Sequence, residues 1–157
     1  MARYAAVFAM LKTKFIITGA HLAEIGGGFG GLAALVCTLA SPASYAVLDL
    51  PETAELVRRF AWDACRGAKI HFAFATGHDL VVSTCAFSEL HPWGRRRYEP
   101  VLSGAHHGFI VWSTVRDERD LLTCDEVAAY LNTVIAPRCV NVDTYPVLCT
   151  PGWTFWW

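Results

Sequence analysis

Glu24 and the glycines after it, Gly26, Gly27, Gly28 and Gly30, are the first residues whose types and spacing could do chemistry. Glycines set this closely let the main chain approach a ligand, and a helix that starts on them turns its free amides toward it. Asp49 stands 18 residues beyond Gly31. In a nucleotide-binding unit of strand, helix and strand, an acid at about that distance accepts hydrogen bonds from ribose hydroxyls. The plainer alternative is a glycine turn followed by a capping aspartate. Gly26-x-Gly28-x-x-Gly31 also satisfies the dinucleotide fingerprint, whose ligand is a pyrophosphate. A carboxylate two residues before the first glycine would repel a pyrophosphate. It could instead receive the ammonium end of an amino-acid-like ligand, directly or through water.

Glu89 and His91 are the second chemical group. Both follow the apolar run Asp79-Leu80-Val81-Val82-Ser83, which ends in small polar residues. Their position places them at the C-terminal edge of a sheet, where open α/β folds hold ligands, and either could act as a general base. Glu89 could equally be a helix cap. Adjacent residues on a strand face opposite ways, so His106 and His107 are not expected to share a metal. His21, His71 and His78 lack ligand spacing and are expected to be structural or exposed. No serine lies in a Gly-x-Ser-x-Gly elbow, so no nucleophile triad is indicated.

Positioning these groups requires alternating strands and helices. Tyr4, Val7, Phe8, Leu11 and Phe15 mark one face of a first helix, expected to pack beside the sheet and lid the ligand. The glycine turn leads into a helix carrying Leu32, Leu35, Val36 and Leu39 that stops near Ser41-Pro42. Tyr45-Ala46-Val47-Leu48 forms the strand ending at Asp49. Pro51 opens a helix with Leu56, Val57, Phe60 and Ala64 on one face, ended by Gly67. Ile70 to Phe74 reads as a third strand and Asp79 to Ser83 as a fourth. Only four residues, 75–78, separate them. That is too few for a crossover helix, so either the third strand is displaced or frayed, or the helix has shrunk to a bare loop that leaves one sheet face uncovered. His107 to Ser113 is a fifth strand, and Thr123-Cys124-Asp125-Glu126 is a capping box opening a helix. Cys139 to Val142, Val147 to Cys149 and Thr154 to Trp157 remain as short strands of a terminal hairpin.

Composition limits the rest. With 157 residues, one domain spanning residues 1–157 is expected. A formal net charge of -1 argues against a nucleic-acid partner. The basic run Arg95-Arg96-Arg97 reads as a solvated helix face. No apolar run reaches a membrane span. The six cysteines lack CxxC spacing and read as reduced, buried thiols of a cytoplasmic protein. The hydrophobic share of 54% and the uncovered face predict association with a second copy or a partner protein.

Taken together, Glu24-Ile25-Gly26-Gly27-Gly28-Phe29-Gly30, Asp49-Leu50-Pro51-Glu52-Thr53 and Asp79 to Leu90 resemble the sugar O-methyltransferase family, a branch of the class I S-adenosylmethionine-dependent methyltransferases. The likeness runs over most of the chain, with its three blocks in the same order. It departs at the short segment 75–78 and lacks the longer N-terminal region such proteins often carry. The resemblance implies a Rossmann-like, doubly wound, mostly parallel sheet with an antiparallel last strand. It further implies S-adenosylmethionine as cofactor, with the glycine loop under its methionine part, Asp49 on the ribose, Leu50 against the adenine, and Ser83 or Thr84 on the methyl-donor side. The implied acceptor is a sugar or other small hydroxyl-bearing molecule, with Glu89 first and His91 second as base. A catalytically silent protein of the same fold and a nicotinamide-dependent oxidoreductase remain as alternatives.

Overall fold

The computed structural model describes residues 2–61, 63–65, 69–113, 122–144 and 152–157. The helix stop expected at Gly67 and the strand expected over Val147 to Cys149 lie outside them. Helix α1 (Ala2–Lys14) turns Tyr4, Val7, Phe8 and Leu11 inward. Strand β1 (His21–Ile25), helix α2 (Gly31–Ala40), strand β2 (Ser44–Leu48), helix α3 (Pro51–Ala61) and strand β3 (Lys69–His71) follow. Strand β4 (Leu80–Thr84) leads into three short helices, α4 (Ala86–Glu89), α5 (Pro92–Arg96) and α6 (Glu99–Gly104). Strand β5 (His107–Ser113), helix α7 (Cys124–Ile135) and strands β6 (Asn141–Thr144) and β7 (Gly152–Trp156) complete the order.

The strands form one sheet in the order β3-β2-β1-β4-β5-β7-β6. The first five pair in parallel, and β7 runs antiparallel to both β5 and β6. The direction of winding reverses between β1 and β4, which places a crevice at the C-terminal ends of those two strands. Successive strand residues face opposite sides. Leu22, Val47, Val82 and Val111 join α1, α2 and α3 in one core, while Ala23, Ala46, Val81 and Ile110 join α4, α6 and α7 in the other. At the far end, Gly108 and Trp157 exchange backbone hydrogen bonds of 3.2 and 3.3 Å. A Cβ on Gly108 would collide with the indole of Trp157, so the small residue makes room for the large one.

The chain passes from β3 to β4 through residues 72–79 without a helix, as the short spacing requires. The bare sheet face expected there is not found. Ala23 and Ala46, the small residues on that face, are fully buried. The loop itself lies against the end of α6, where a Cβ on Gly104 would stand 3.1 Å from that of Thr76. Ala23 and Ala46 share their core with Val101 and Leu102 of α6 and with Ala105 after it, so side chains from that helix pack where a crossover helix is missing. The third strand is also shorter than expected. It ends at His71 because Phe72 turns to the Arg58 guanidinium, 4.4 Å from its ring, and Phe74 to Tyr98, with ring centres 5.1 Å apart.

Two further expectations need correction. Arg95 is not on a solvated face: it is 6% exposed and lies 4.8 Å over the Trp112 ring. Arg96 and Arg97 do face outward. Of the five described cysteines, all free, Cys37 and Cys65 are buried, Cys85 and Cys124 half-buried and Cys139 exposed. The last two occupy a helix start and a loop, where an apolar neighbourhood in sequence does not become one in space. Thr123 forms the expected capping box, with its backbone N–H on Glu126 at 2.7 Å and its hydroxyl accepting the Glu126 N–H. No helix among the described residues is long and apolar enough to cross a membrane.

Candidate cofactor cleft

The glycine turn, Asp49 and the start of α4 meet at the crevice between β1 and β4. Gly26 has φ +77° and sits so close to α4 that a Cβ there would overlap the Cβ of Ala86. Any side chain would therefore force β1 and β4 apart at the crevice. Gly28, with φ +55°, has the opposite surroundings, since nothing lies within 4 Å of where its Cβ would stand. It is the part of the turn that faces open space, which suits close approach by a ligand. Its N–H donates to Asp49 Oδ2 at 3.0 Å, and the Leu50 N–H donates to Oδ1 at 2.7 Å. Each carboxylate oxygen keeps a second lone pair for an incoming hydroxyl. Gly30, with φ +86°, is the N-cap of α2, and Tyr4 of α1 lies edge-on to Phe29 with ring centres 5.7 Å apart. The first helix thus borders the turn.

Beside Asp49 lies a cavity of about 390 Å³. Its lining includes Asp49, Leu50, Phe72, Phe74, Arg97 and Tyr98. Leu50 projects into it with 67% of its surface exposed. Aromatic and aliphatic walls next to a hydrogen-bonding acid suit a flat heterocycle joined to a ribose. Phe72, Phe74, Arg97 and Tyr98 were not read as site residues in the sequence, since only the folded path of residues 72–79 brings Phe74 to Tyr98 and to the Arg97 guanidinium, 4.7 Å from its ring. Burial and nearby Asp49 raise the Tyr98 hydroxyl pKa above the ordinary value, against the opposing pull of Arg97.

Glu24 is not in the open crevice. It is 1% exposed beneath the turn, where its Oε2 accepts the Tyr45 hydroxyl at 2.9 Å and its Oε1 has no hydrogen-bond partner. A Cβ on Gly27 would stand 3.6 Å from Oε2, so the glycine backbone is the layer covering the carboxyl. Burial, opposed by the Tyr45 hydrogen bond and aided by Asp49, pushes the Glu24 pKa up to about 8. Tyr45 was missed as its partner, although period-two alternation puts it on the same sheet face as Val47, the register partner of Glu24.

Ser83 serves the scaffold: its hydroxyl donates to the Ile25 carbonyl and accepts the Phe87 N–H, both at 3.0 Å, and it is fully buried. Thr84, next along β4, is also buried. Cys85, which follows the strand as the N-cap of α4, has φ +73°, a sparsely populated region for a residue with a side chain. Its N–H is held by the Val111 carbonyl at 3.0 Å. Glu89 and His91 are both exposed on the rim beyond it. The Glu89 turn is pinned from behind, where Arg95 donates to the carbonyls of Phe87 at 3.3 Å and Ser88 at 2.9 Å. His91 is the N-cap of α5, and its Nδ1 lies 3.5 Å from the Trp93 nitrogen. Among the described residues no group of three or more His, Cys, Asp or Glu could hold a metal. His107 instead has its Nδ1 3.2 Å from the Trp157 carbonyl.

No family model and no curated protein sequence matches the chain. Solved structures do. The methyltransferase domain of bacterial CtHen1 superposes with a TM-score of 0.72 at 15% identity, covering 98% of this chain and 96% of that one. Magnesium protoporphyrin IX methyltransferase from Synechocystis, solved with bound S-adenosylmethionine, gives 0.75 at 10% identity over 99% and 77% of the two chains. The mitomycin 7-O-methyltransferase MmcR gives 0.69 at 16% identity, and this chain spans about half of it, 52%. What the chain shares with these proteins is the class I methyltransferase fold.

Proposed function

We propose that the protein is an S-adenosylmethionine-dependent methyltransferase acting on a hydroxyl of a small acceptor, a sugar being the first class to try. The observation that carries this reading is the junction of Gly28 and Asp49. An open glycine main chain and an acid suited to a ribose stand together at the switch point, beside a cavity with aromatic walls. The residues fit the cofactor. Asp49 would take its ribose hydroxyls, Leu50, Phe74 and Tyr98 would enclose its base, and the turn from Gly26 to Gly30 would carry its amino-acid end.

When bound, the cofactor supplies a methyl group already activated on a sulfonium. The chain then has two tasks, to hold the acceptor hydroxyl in line and to remove its proton. Glu89, exposed on a turn that Arg95 fixes, would accept that proton, with His91 as the other candidate. The nicotinamide alternative fits less well. The dinucleotide fold has strand order 3-2-1-4-5-6, whereas β7 enters here antiparallel between β5 and β6.

Calorimetric titration with S-adenosylmethionine and NAD in separate runs tests the cofactor, and transfer of a labelled methyl to a panel of sugars and phenols tests the acceptor. Binding of the methyl donor alone is the expected result. Tight NAD binding with no response to the donor would overturn it.

A further inference from the structure

We infer that the groove between α5–α6 and α7 holds the acceptor, and that its chemistry selects an uncharged polyhydroxyl chain longer than one ring, an oligosaccharide rather than a free monosaccharide. The inference rests on the functional reading above and deepens it. A cavity of about 330 Å³ is lined at one end by Pro92, Arg95, Leu122 and Glu126. A second, of about 450 Å³, reaches Ser103 and Thr133 at the other. Both include Arg96, Glu99 and Tyr130, so they are adjoining parts of one groove. The spacing is helical: Glu126, Tyr130 and Thr133 stand on one face of α7, and Arg96, Glu99 and Ser103 form the stripe opposite. From Glu126 to Thr133 the groove follows α7 for roughly 10 Å, further than one sugar ring. The α5–α6 junction separates it from the cavity beside Asp49, which Arg97 and Tyr98 line.

The Pro92 end adjoins the turn that carries both candidate bases. Pro92 follows His91, and Arg95 holds the Glu89 turn through the Phe87 and Ser88 carbonyls. The Tyr130 ring is stacked with that of Phe87 in the same turn, with centres 6.4 Å apart. One unit of the acceptor meets the chemistry at this end, and the rest extends toward Ser103. At the centre the Tyr130 hydroxyl donates to Glu99 Oε1 at 3.0 Å. Burial and this bond raise the Tyr130 pKa, so the proton stays in place. Glu99 Oε2 and a lone pair on the Tyr130 oxygen are left to accept from ligand hydroxyls. Pro92, Leu122 and the Tyr130 ring offer apolar surface to the C–H faces of a ring. Among the described lining residues, Arg95 and Arg96 balance Glu99 and Glu126. A charged ligand of either sign would meet a like charge there, whereas a hydroxyl can donate to a carboxylate and accept from a guanidinium.

The test is amide NMR of the whole chain titrated with cellobiose, maltose and lactose, and with glucose, glucosamine and glucuronic acid. Expected are shifts confined to residues 92–103 and 122–134, with a disaccharide bound more tightly than glucose and the charged sugars more weakly. Glu99→Gln keeps an acceptor for the Tyr130 hydroxyl but loses the charge. It should bind the disaccharide about 10-fold more weakly, the scale of a hydrogen bond to a charged group, with S-adenosylmethionine affinity by calorimetry unchanged. No groove shifts with any neutral disaccharide, or tightest binding by a charged sugar, would overturn the inference, while S-adenosylmethionine binding would leave the methyltransferase reading intact. Absence of S-adenosylmethionine binding would overturn that reading, and a groove that still bound sugar would then not be an acceptor site. Should Glu99→Gln not fold, the wild-type shifts and the order of the sugars decide by themselves.

Discussion

The Asp49 carboxylate at the end of β2 accepts the Gly28 N–H at 3.0 Å, so the acid suited to a ribose also sets the shape of the glycine turn. Its second oxygen holds the Leu50 N–H at the start of α3. One side chain thus ties two ligand-facing segments together, and its loss should weaken the ligand through both. Asp49→Ala is expected to weaken S-adenosylmethionine binding by about 1–3 kcal/mol, the scale of hydrogen bonds to a charged group. Calorimetry on the folded variant checks this, and an unchanged dissociation constant would show that Asp49 does not face the ribose.

Glu24 gives stability an unusual pH dependence. Its pKa is raised in the folded state from 4.5 to about 8, so the folded chain holds an extra proton between those values. Stability should fall as pH rises through that window, by about 1.4 kcal/mol per pH unit for one linked proton, and level off above 8. Glu24→Gln keeps an acceptor for Tyr45 and should remove this slope. Urea unfolding of both proteins from pH 5 to 8 reads the difference.

His78 should act in the opposite direction. Burial is the main cause that lowers its pKa below 6.5, aided by His71 and His21, while its bond to Ala75 and the charge of Asp79 resist. The unfolded chain then binds the proton more readily, so this contribution to stability is complete above pH 6.5 and is lost as pH falls below it. His78→Asn should flatten the acid limb of the unfolding curve. Amide protection within residues 72–79, corrected for the intrinsic exchange rate at each pH, should fall in the wild type on acidification, because the His78 ring bonds the Ala75 carbonyl of that segment.

Arg95 fixes the turn that carries Glu89. Replacing its planar fork by Lys should cost about 2–4 kcal/mol, because the carbonyls of Phe87 and Ser88 lose a buried charged donor and Trp112 loses its stacking partner. A melting temperature within a degree of wild type would contradict this.

Glu89→Gln should lower the methyl-transfer rate by roughly 10²–10⁴-fold, the usual contribution of a general base, with donor affinity unchanged. His91→Asn should have the smaller effect. If His91 gives the larger loss, the two roles are exchanged.

Much of this architecture is written in local patterns. The glycine turn after β1, Asp49 after β2, the capping box at Thr123 and the alternation that sorts strand residues between two cores all follow from short-range sterics and period. So does the missing helix between β3 and β4, since 75–78 cannot form one. The sequence could not say what covers that face, because the answer is the packing of Val101, Leu102 and Ala105 with Ala23 and Ala46, far apart in the chain. Nor could it say that Glu24 lies beneath the turn with Tyr45, that Arg95 is buried over Trp112, or that Phe74 and Tyr98 wall a cavity next to Asp49. A side chain's charge and type are local properties. Its burial, its partner and therefore its protonation depend on which distant elements pack against it, and only the folded chain decides that.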